Sequence, residues 1–223
     1  PHLGGEGARG DLFSGAVMAL TAFFRDMQSL HYIVSLAMPE LLGRSRVKIW
    51  DAGCATGEEP FSLAMLLSEH MGYFGFSNTV IHATDHEESQ FPQFRESIAE
   101  GVFPELVLKT TPRPDLIRKY SRPAIRPGYI QVVEEIRNKV VFQRHDLLSY
   151  QEVGTGFSLV VCKNVLLHFQ PLQQAEVVRM FHRALAPEGF LALDQAHRPP
   201  PGTEHLWTNI AEGGFLYRKV GIS

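Results

Sequence analysis

The stretch VKIWDAGCATGEEPFSLAM, residues 47–65, decides how the rest of this 223-residue chain is read. Val47, Ile49 and Trp50 form a short β-rich run that leads into Asp51. Glycines at 53 and 57 then permit a tight loop, and Pro60 opens an apolar helix. Strand, glycine turn and helix in that order place a ligand at the carboxyl end of the first strand of an open α/β sheet, against the helix N-terminus.

The spacing of the glycines narrows the ligand. A dinucleotide loop of the G-x-G-x-x-G type beginning at Gly53 needs glycine at 55 and 58, so that backbone N–H groups close on a pyrophosphate. This chain has Ala55 and Glu58 there, and Glu58 followed by Glu59 repels a diphosphate. The same carboxylates attract a cation, and S-adenosylmethionine carries both an ammonium group and a sulfonium. A P-loop is excluded because no Gly-Lys-Ser/Thr follows. The competing reading is an ordinary βα turn whose acids only stabilise the helix start.

With 44% hydrophobic and 20% charged residues the composition is that of a globular chain with a full core, and one α/β domain is the default. A net charge of −3 carries no footprint for nucleic acid or an anionic membrane surface. Two cysteines, Cys54 and Cys162, are too few for a disulfide framework or a zinc site, and both read as small packed residues near the sheet top. His82 and His86 straddle a strand end without ligand spacing, so no metal is expected. No apolar run approaches the roughly 20 residues that span a bilayer, and no signal peptide is evident, which points to the cytoplasm. The chain begins with Pro1, so upstream sequence is expected.

Along the chain, residues 1–10 are glycine-rich, and residues 12–42 carry apolar positions at helical spacing with breaks near Ser29 and Pro39, which predicts two helices. A helix is expected over 59–71. Residues 79–84 read as a strand ending at Asp85, an acid placed to accept from both ribose hydroxyls; the alternative is an N-cap for a helix over 87–100. The proline-rich segment 101–137 interrupts the alternation and predicts an insert on the sheet edge, with a short helix near 115–120 and a strand at 129–133. Strands follow at 140–144, ending near Asp146, and at 157–162, ahead of Lys163, Asn164 and an apolar loop to Phe169. A helix over 171–185 stops at the breaker Pro187-Glu188-Gly189, strand 190–193 follows, and 207–211 with 215–220 predict a closing antiparallel hairpin.

In order along the chain, LTAFFRD at 20–26, TGEEPFSLAM at 56–65, ATD at 83–85 and CKNVLLHF at 162–169 resemble the CheR-type chemotaxis receptor methyltransferases, which methylate receptor glutamates with S-adenosylmethionine. The resemblance implies a class I, Rossmann-like α/β sheet with N-terminal helices over 1–45, a methyltransferase domain over 46–223, and a small β insert at about 118–137 of the kind some members use to bind a receptor tail. It implies that Thr21 and Arg25, on the helix before the sheet, serve the cofactor carboxylate and active centre. Around them Asp51, Gly53, Glu58, Asp85, Asp146, Leu147, Lys163 and Asn164 would hold S-adenosylmethionine. A protein substrate, possibly a chemoreceptor, is the implied partner.

The chain also departs from the family pattern. Ala19 stands for an asparagine, Lys163 for an arginine, His168 for a tyrosine, and Asp194-Gln195-Ala196-His197 for a His-Ser-Glu run. Arg25 is the candidate for holding a carboxylate, since a guanidinium binds that group in fixed geometry; the alternative is a surface ion pair. His168 is the candidate for orienting substrate, or else a histidine packed beside Phe169. Two other outcomes stay open: a cofactor-binding protein without turnover, and a methyltransferase for another acceptor. A nicotinamide oxidoreductase is disfavoured by Glu58 and the missing glycines.

Overall fold

The computed structural model describes residues 21–86, 94–194, 198–211, 213 and 215–221. The expectations for residues 1–20 and 87–93, Ala19 among them, and for Gln195, Ala196 and His197 lie outside this set.

Residues 21–26 form a turn, not the helix expected to carry Thr21 and Arg25. Helix α1, Met27–Tyr32, starts only where Asp26 accepts from the Ser29 N–H at 3.2 Å and caps it. The predicted break at Ser29 is therefore a helix start. A π-helical turn, Ile33–Ala37, leads into α2, Met38–Leu41, whose first turn holds Pro39. A proline N cannot bond back to the carbonyl four residues earlier, so the ladder widens ahead of it instead of breaking. Leu30, Ile33, Ala37, Met38 and Leu41 form the buried stripe.

Strand β1, Val47–Ala52, is buried along nearly its whole length because both faces of the sheet are covered. Helix α3, Glu58–Ser77, follows Gly57, which takes φ +101°. It outruns the expected end at 71, because Gly72 adopts φ 64°, ψ 173° and lets the chain kink and resume. Strand β2, Thr79–Asp85, and helix α4, Phe94–Glu100, precede the insert.

The insert comprises β3 (Val102–Pro104), α5 (Val107–Thr110), α6 (Pro114–Lys119), β4 (Ser121–Pro123), β5 (Tyr129–Val132) and α7 (Glu134–Arg137). Its strands pair antiparallel in the order β3-β5-β4, so the small sheet begins well before the residue near 118 where the sequence suggested it. Three residues bounded by Gly101 and Glu105 are too short to show a strand period.

The main sheet continues with β6 (Val140–Arg144), β7 (Phe157–Cys162), helix α8 (Pro171–Ala184), β8 (Leu185–Leu193), β9 (Trp207–Asn209) and β10 (Leu216–Lys219). The seven strands run in the order β6-β2-β1-β7-β8-β10-β9, with β10 antiparallel to both its neighbours. The expected turn at 187–189 is instead a bulge inside β8: Phe157 pairs with Leu185 and Leu159 with Phe190, and Glu188 takes φ 55°. Hydrogen bonding to β7 on both sides of the bulge outweighs the local breaker residues.

Two apolar layers sandwich the sheet. One joins the N-terminal helices, α3 and the insert through Phe23, Phe61, Phe103 and Ile117. The other packs α8 on Trp50, with the Trp50 and Phe181 rings edge to face at 5.2 Å. The Trp50 indole N–H donates to Thr84 Oγ1 at 2.9 Å, satisfying the polar atom that burial would otherwise strand. Among the described residues no helix is long and apolar enough to cross a membrane.

Candidate functional site

The carboxyl ends of β1, β2 and β7 open onto a cleft of about 560 Å3, within the range of small-molecule sites. The loop after β1 forms its floor. The Gly53 and Cys54 N–H groups both donate to the Thr84 carbonyl, at 2.8 and 3.0 Å, and the Ala55 N–H donates to Asp85 Oδ2 at 2.9 Å. Gly53 sits at φ +95°, and a Cβ there would lie 2.2 Å from Val165 Cγ2. The first glycine of the motif is thus required both by its backbone angle and by the wall of the cleft.

Thr21, Arg25, Gly53, Asp85, Leu147, Lys163, Asn164 and His168, all expected from sequence, line the cleft together. Three expected residues do not. Asp51 lies buried beneath the loop with its Oδ2 lacking any hydrogen-bond partner. Asp146 accepts from the Leu148 N–H at 2.8 Å and caps the short 3-10 turn Leu147–Ser149. Glu58 turns away, its Oε2 accepting from Thr56 Oγ1 at 2.6 Å and Thr21 Oγ1 at 3.3 Å. It is Glu59 that faces the cleft, where its Oε2 meets Lys163 Nζ at 2.9 Å.

The electrostatics follow from this packing. Burial pushes the Asp51 carboxyl well above the usual range, with Glu59 and Asp85 adding to the shift and Lys163 opposing it. Burial works against the Lys163 charge, yet Glu59, Asp26 and Asp51 outweigh it and hold the ammonium above the usual lysine range. Glu58 is also raised by burial, against the hydrogen bonds from the two threonines. Both cysteine thiols are buried and pushed upward, so neither is a ready nucleophile. At the β7 end, Asn164 takes φ 59° and its N–H donates to Asp194 Oδ2 at 2.8 Å. Buried Asp194, at the end of β8, thereby shapes the Lys163-Asn164 corner.

Glu59, read from sequence as a charge beside Glu58, and Leu167 and Phe169, in the expected apolar loop, line the cleft, as do His86 and His145, which sequence reading did not propose as site residues. Most sit one or two places from an expected residue. That adjacency was the available signal, because loops lining a cleft expose consecutive side chains.

A ligand that suits these residues is mixed in charge. Glu59 and Asp85 bring carboxylates to the cleft, while Lys163 and Arg25 supply cations. S-adenosylmethionine, with an ammonium, a sulfonium and a carboxylate, fits that set. A seven-stranded sheet with this strand order, an antiparallel β10 and a cleft over the first βα loop defines a class I S-adenosylmethionine-dependent methyltransferase.

The family model described as the CheR methyltransferase, SAM binding domain, matches residues 19–210. Chemotaxis protein methyltransferase 2 of Pseudomonas aeruginosa is 31% identical over 99% of this chain and 74% of its own length. Chemotaxis protein methyltransferase 1 of the same organism is 29% identical over 94% of this chain and 78% of its own. An uncharacterized 104.1 kDa protein of Rhodobacter capsulatus is 35% identical over 79% of this chain, which spans only 18% of that protein. The chain belongs to the CheR methyltransferase family, and its cofactor is S-adenosylmethionine.

Proposed function

We propose that this chain transfers a methyl group to a glutamate side chain of a signalling protein, of the kind the chemotaxis methyltransferases serve, in the cytoplasm. The observation that carries the reading is the place of Arg25, at the rim of the cleft over the loop between β1 and α3. Free thiols at Cys54 and Cys162 are in keeping with a reducing compartment.

S-adenosylmethionine, when bound, supplies a methyl group on a positively charged sulfur. A glutamate acceptor is ionised at neutral pH, with an ordinary pKa of about 4.3, so the chain needs no strong general base. Its task is alignment and exclusion of water. Arg25 holds a carboxylate through a planar pair of donors, and Thr21 beside it is anchored to Glu58. Asp51, Gly53, Glu58, Asp85, Asp146, Leu147, Lys163 and Asn164 form the cofactor-binding set in this reading, directly or by holding the loops that do. Leu167 and Phe169 screen the mouth from water, and His168 between them orients the acceptor. The insert of 101–137 is the candidate seat for the partner protein.

The test begins with calorimetric titration of S-adenosylhomocysteine, using NAD as the control. Transfer of a labelled methyl group to glutamate-rich receptor peptides follows, with release of the label in mild base identifying a carboxyl ester. Binding with base-labile transfer supports the reading, and Arg25→Ala then sharply lowers transfer. Binding without transfer to any carboxylate points to a cofactor-binding protein, and base-stable label to another acceptor.

A further inference from the structure

The turn carrying Thr21 and Arg25 is gripped from outside the main sheet. Thr111 Oγ1 donates to the Phe23 carbonyl at 3.1 Å, and the Phe24 N–H donates to Ser62 Oγ at 2.9 Å. The Phe23 ring stands edge-on to Phe103 with centroids 4.8 Å apart, and Phe103 meets Phe61 the same way at 5.8 Å. Phe24 lies at φ 57°, a conformation disfavoured for a bulky residue and kept only where surrounding contacts over-determine it.

Two of these grips, Thr111 after α5 and Phe103 in β3, belong to the insert. Thr111 is buried, and its Oγ1 also accepts from the Arg113 N–H at 3.2 Å. That second bond fixes the hydroxyl so that its single proton is aimed at Phe23. Thr111 does not line the cleft. Its hydroxyl reaches the site only through the backbone between Phe23 and Arg25.

We propose that Thr111 is a positioning residue for Arg25, fastening the insert to the turn that presents the guanidinium to the cofactor cleft. This rests on the reading that Arg25 holds the cofactor carboxylate. Because the hydroxyl and the guanidinium act in one chain of contacts, their effects are not independent.

The experiment is calorimetric titration of S-adenosylhomocysteine into the wild type, Arg25→Ala, Thr111→Val, Thr111→Ser and the Thr111→Val/Arg25→Ala pair. Stoichiometry counts folded sites, and thermal unfolding is followed alongside. Arg25→Ala is expected to weaken binding roughly tenfold or more, as loss of a charge-assisted contact does. Thr111→Val is expected to weaken it several-fold, Thr111→Ser to restore it, and Thr111→Val to lose most of its effect once Arg25 is alanine. A merely structural role lowers the melting temperature and leaves the two effects additive. Additive effects, or wild-type affinity in Thr111→Val while Arg25→Ala is impaired, overturn the proposal. Wild-type affinity in Arg25→Ala overturns the underlying reading of Arg25 as well, and so is told apart. Should Thr111→Val give too few folded sites, Thr111→Ala is put through the same cycle.

Discussion

Replacing Gly53 by alanine tests the floor of the cleft with a single methyl group. Two costs can be worked out. At φ +95° an L-residue pays the left-handed penalty of roughly 1–2 kcal/mol. The new Cβ would also lie 2.2 Å from Val165 Cγ2, and Val165 is β-branched and stiff about χ1, so relief requires backbone movement costing roughly 1–3 kcal/mol. The loop cannot simply lift, since the Gly53 and Cys54 N–H groups are both tied to Thr84. The total is about 2–5 kcal/mol. With about 2 kcal/mol of it expressed in binding, S-adenosylhomocysteine affinity falls roughly thirtyfold. Thermal unfolding shifts down by about 4 °C or more for a chain of this size. Val165→Ala removes the obstructing methyls, so in the Gly53→Ala background it should restore part of the affinity, while in the wild type it should only weaken packing. Wild-type affinity and melting temperature in Gly53→Ala, or no rescue by Val165→Ala, would refute the argument.

Two further perturbations address the buried charges. Lys163→Met leaves Glu59, whose side chain is 23% exposed at the cleft, without its partner, and should cost about 1–3 kcal/mol by chemical denaturation. The Lys163→Met/Glu59→Gln pair should recover most of that loss, and a fully additive cycle would show that the pair is not coupled. Asp51 gives a pH signature. Its carboxyl is raised on folding, so the protonated form is favoured in the native state and its contribution is lost as pH rises from the acid range through the folded value. Asp51→Asn should therefore raise thermal stability at pH 7–8 by at least about 1 kcal/mol relative to wild type, with the gap closing toward acid pH. It should weaken S-adenosylhomocysteine binding at the same time; a gap that does not change with pH would rule out this account of the buried acid.

Gly53, Gly57 and the two acids after them specify the βα loop and exclude a pyrophosphate from sequence alone. Strands 140–144 and 157–162 were legible residue for residue: burial on both faces makes 157–162 a continuous apolar run, whereas 140–144 is an exposed edge strand marked by Val140, Val141 and Phe142. Where local signals failed, a longer-range partner overrode them. Pro187-Glu188-Gly189 spells a turn, yet pairing with β7 and the contact of Arg218 with the Glu188 carboxylate at 3.2 Å keep it within a strand. LTAFFRD has helical spacing, yet Thr111, Ser62 and Phe103 hold its described part, residues 21–26, as a turn.

The sequence by itself determined the class of the sheet and its closing hairpin, through the family motifs, and the residue types gathered at the top of β1, β2 and β7. Only the tertiary structure decided which of two neighbouring glutamates faces the cleft. Glu58 and Glu59 are one position, about 100° of helix, apart, and of the contacts that separate them only the Thr56 hydroxyl on Glu58 is local. Thr21 and Thr56 draw Glu58 inward while Lys163, more than a hundred residues along the chain, draws Glu59 to the cleft. Hydrogen bonds and ion pairs made between distant segments exist only once the chain has folded, and that is why the orientation of these carboxylates could not be read from their neighbours.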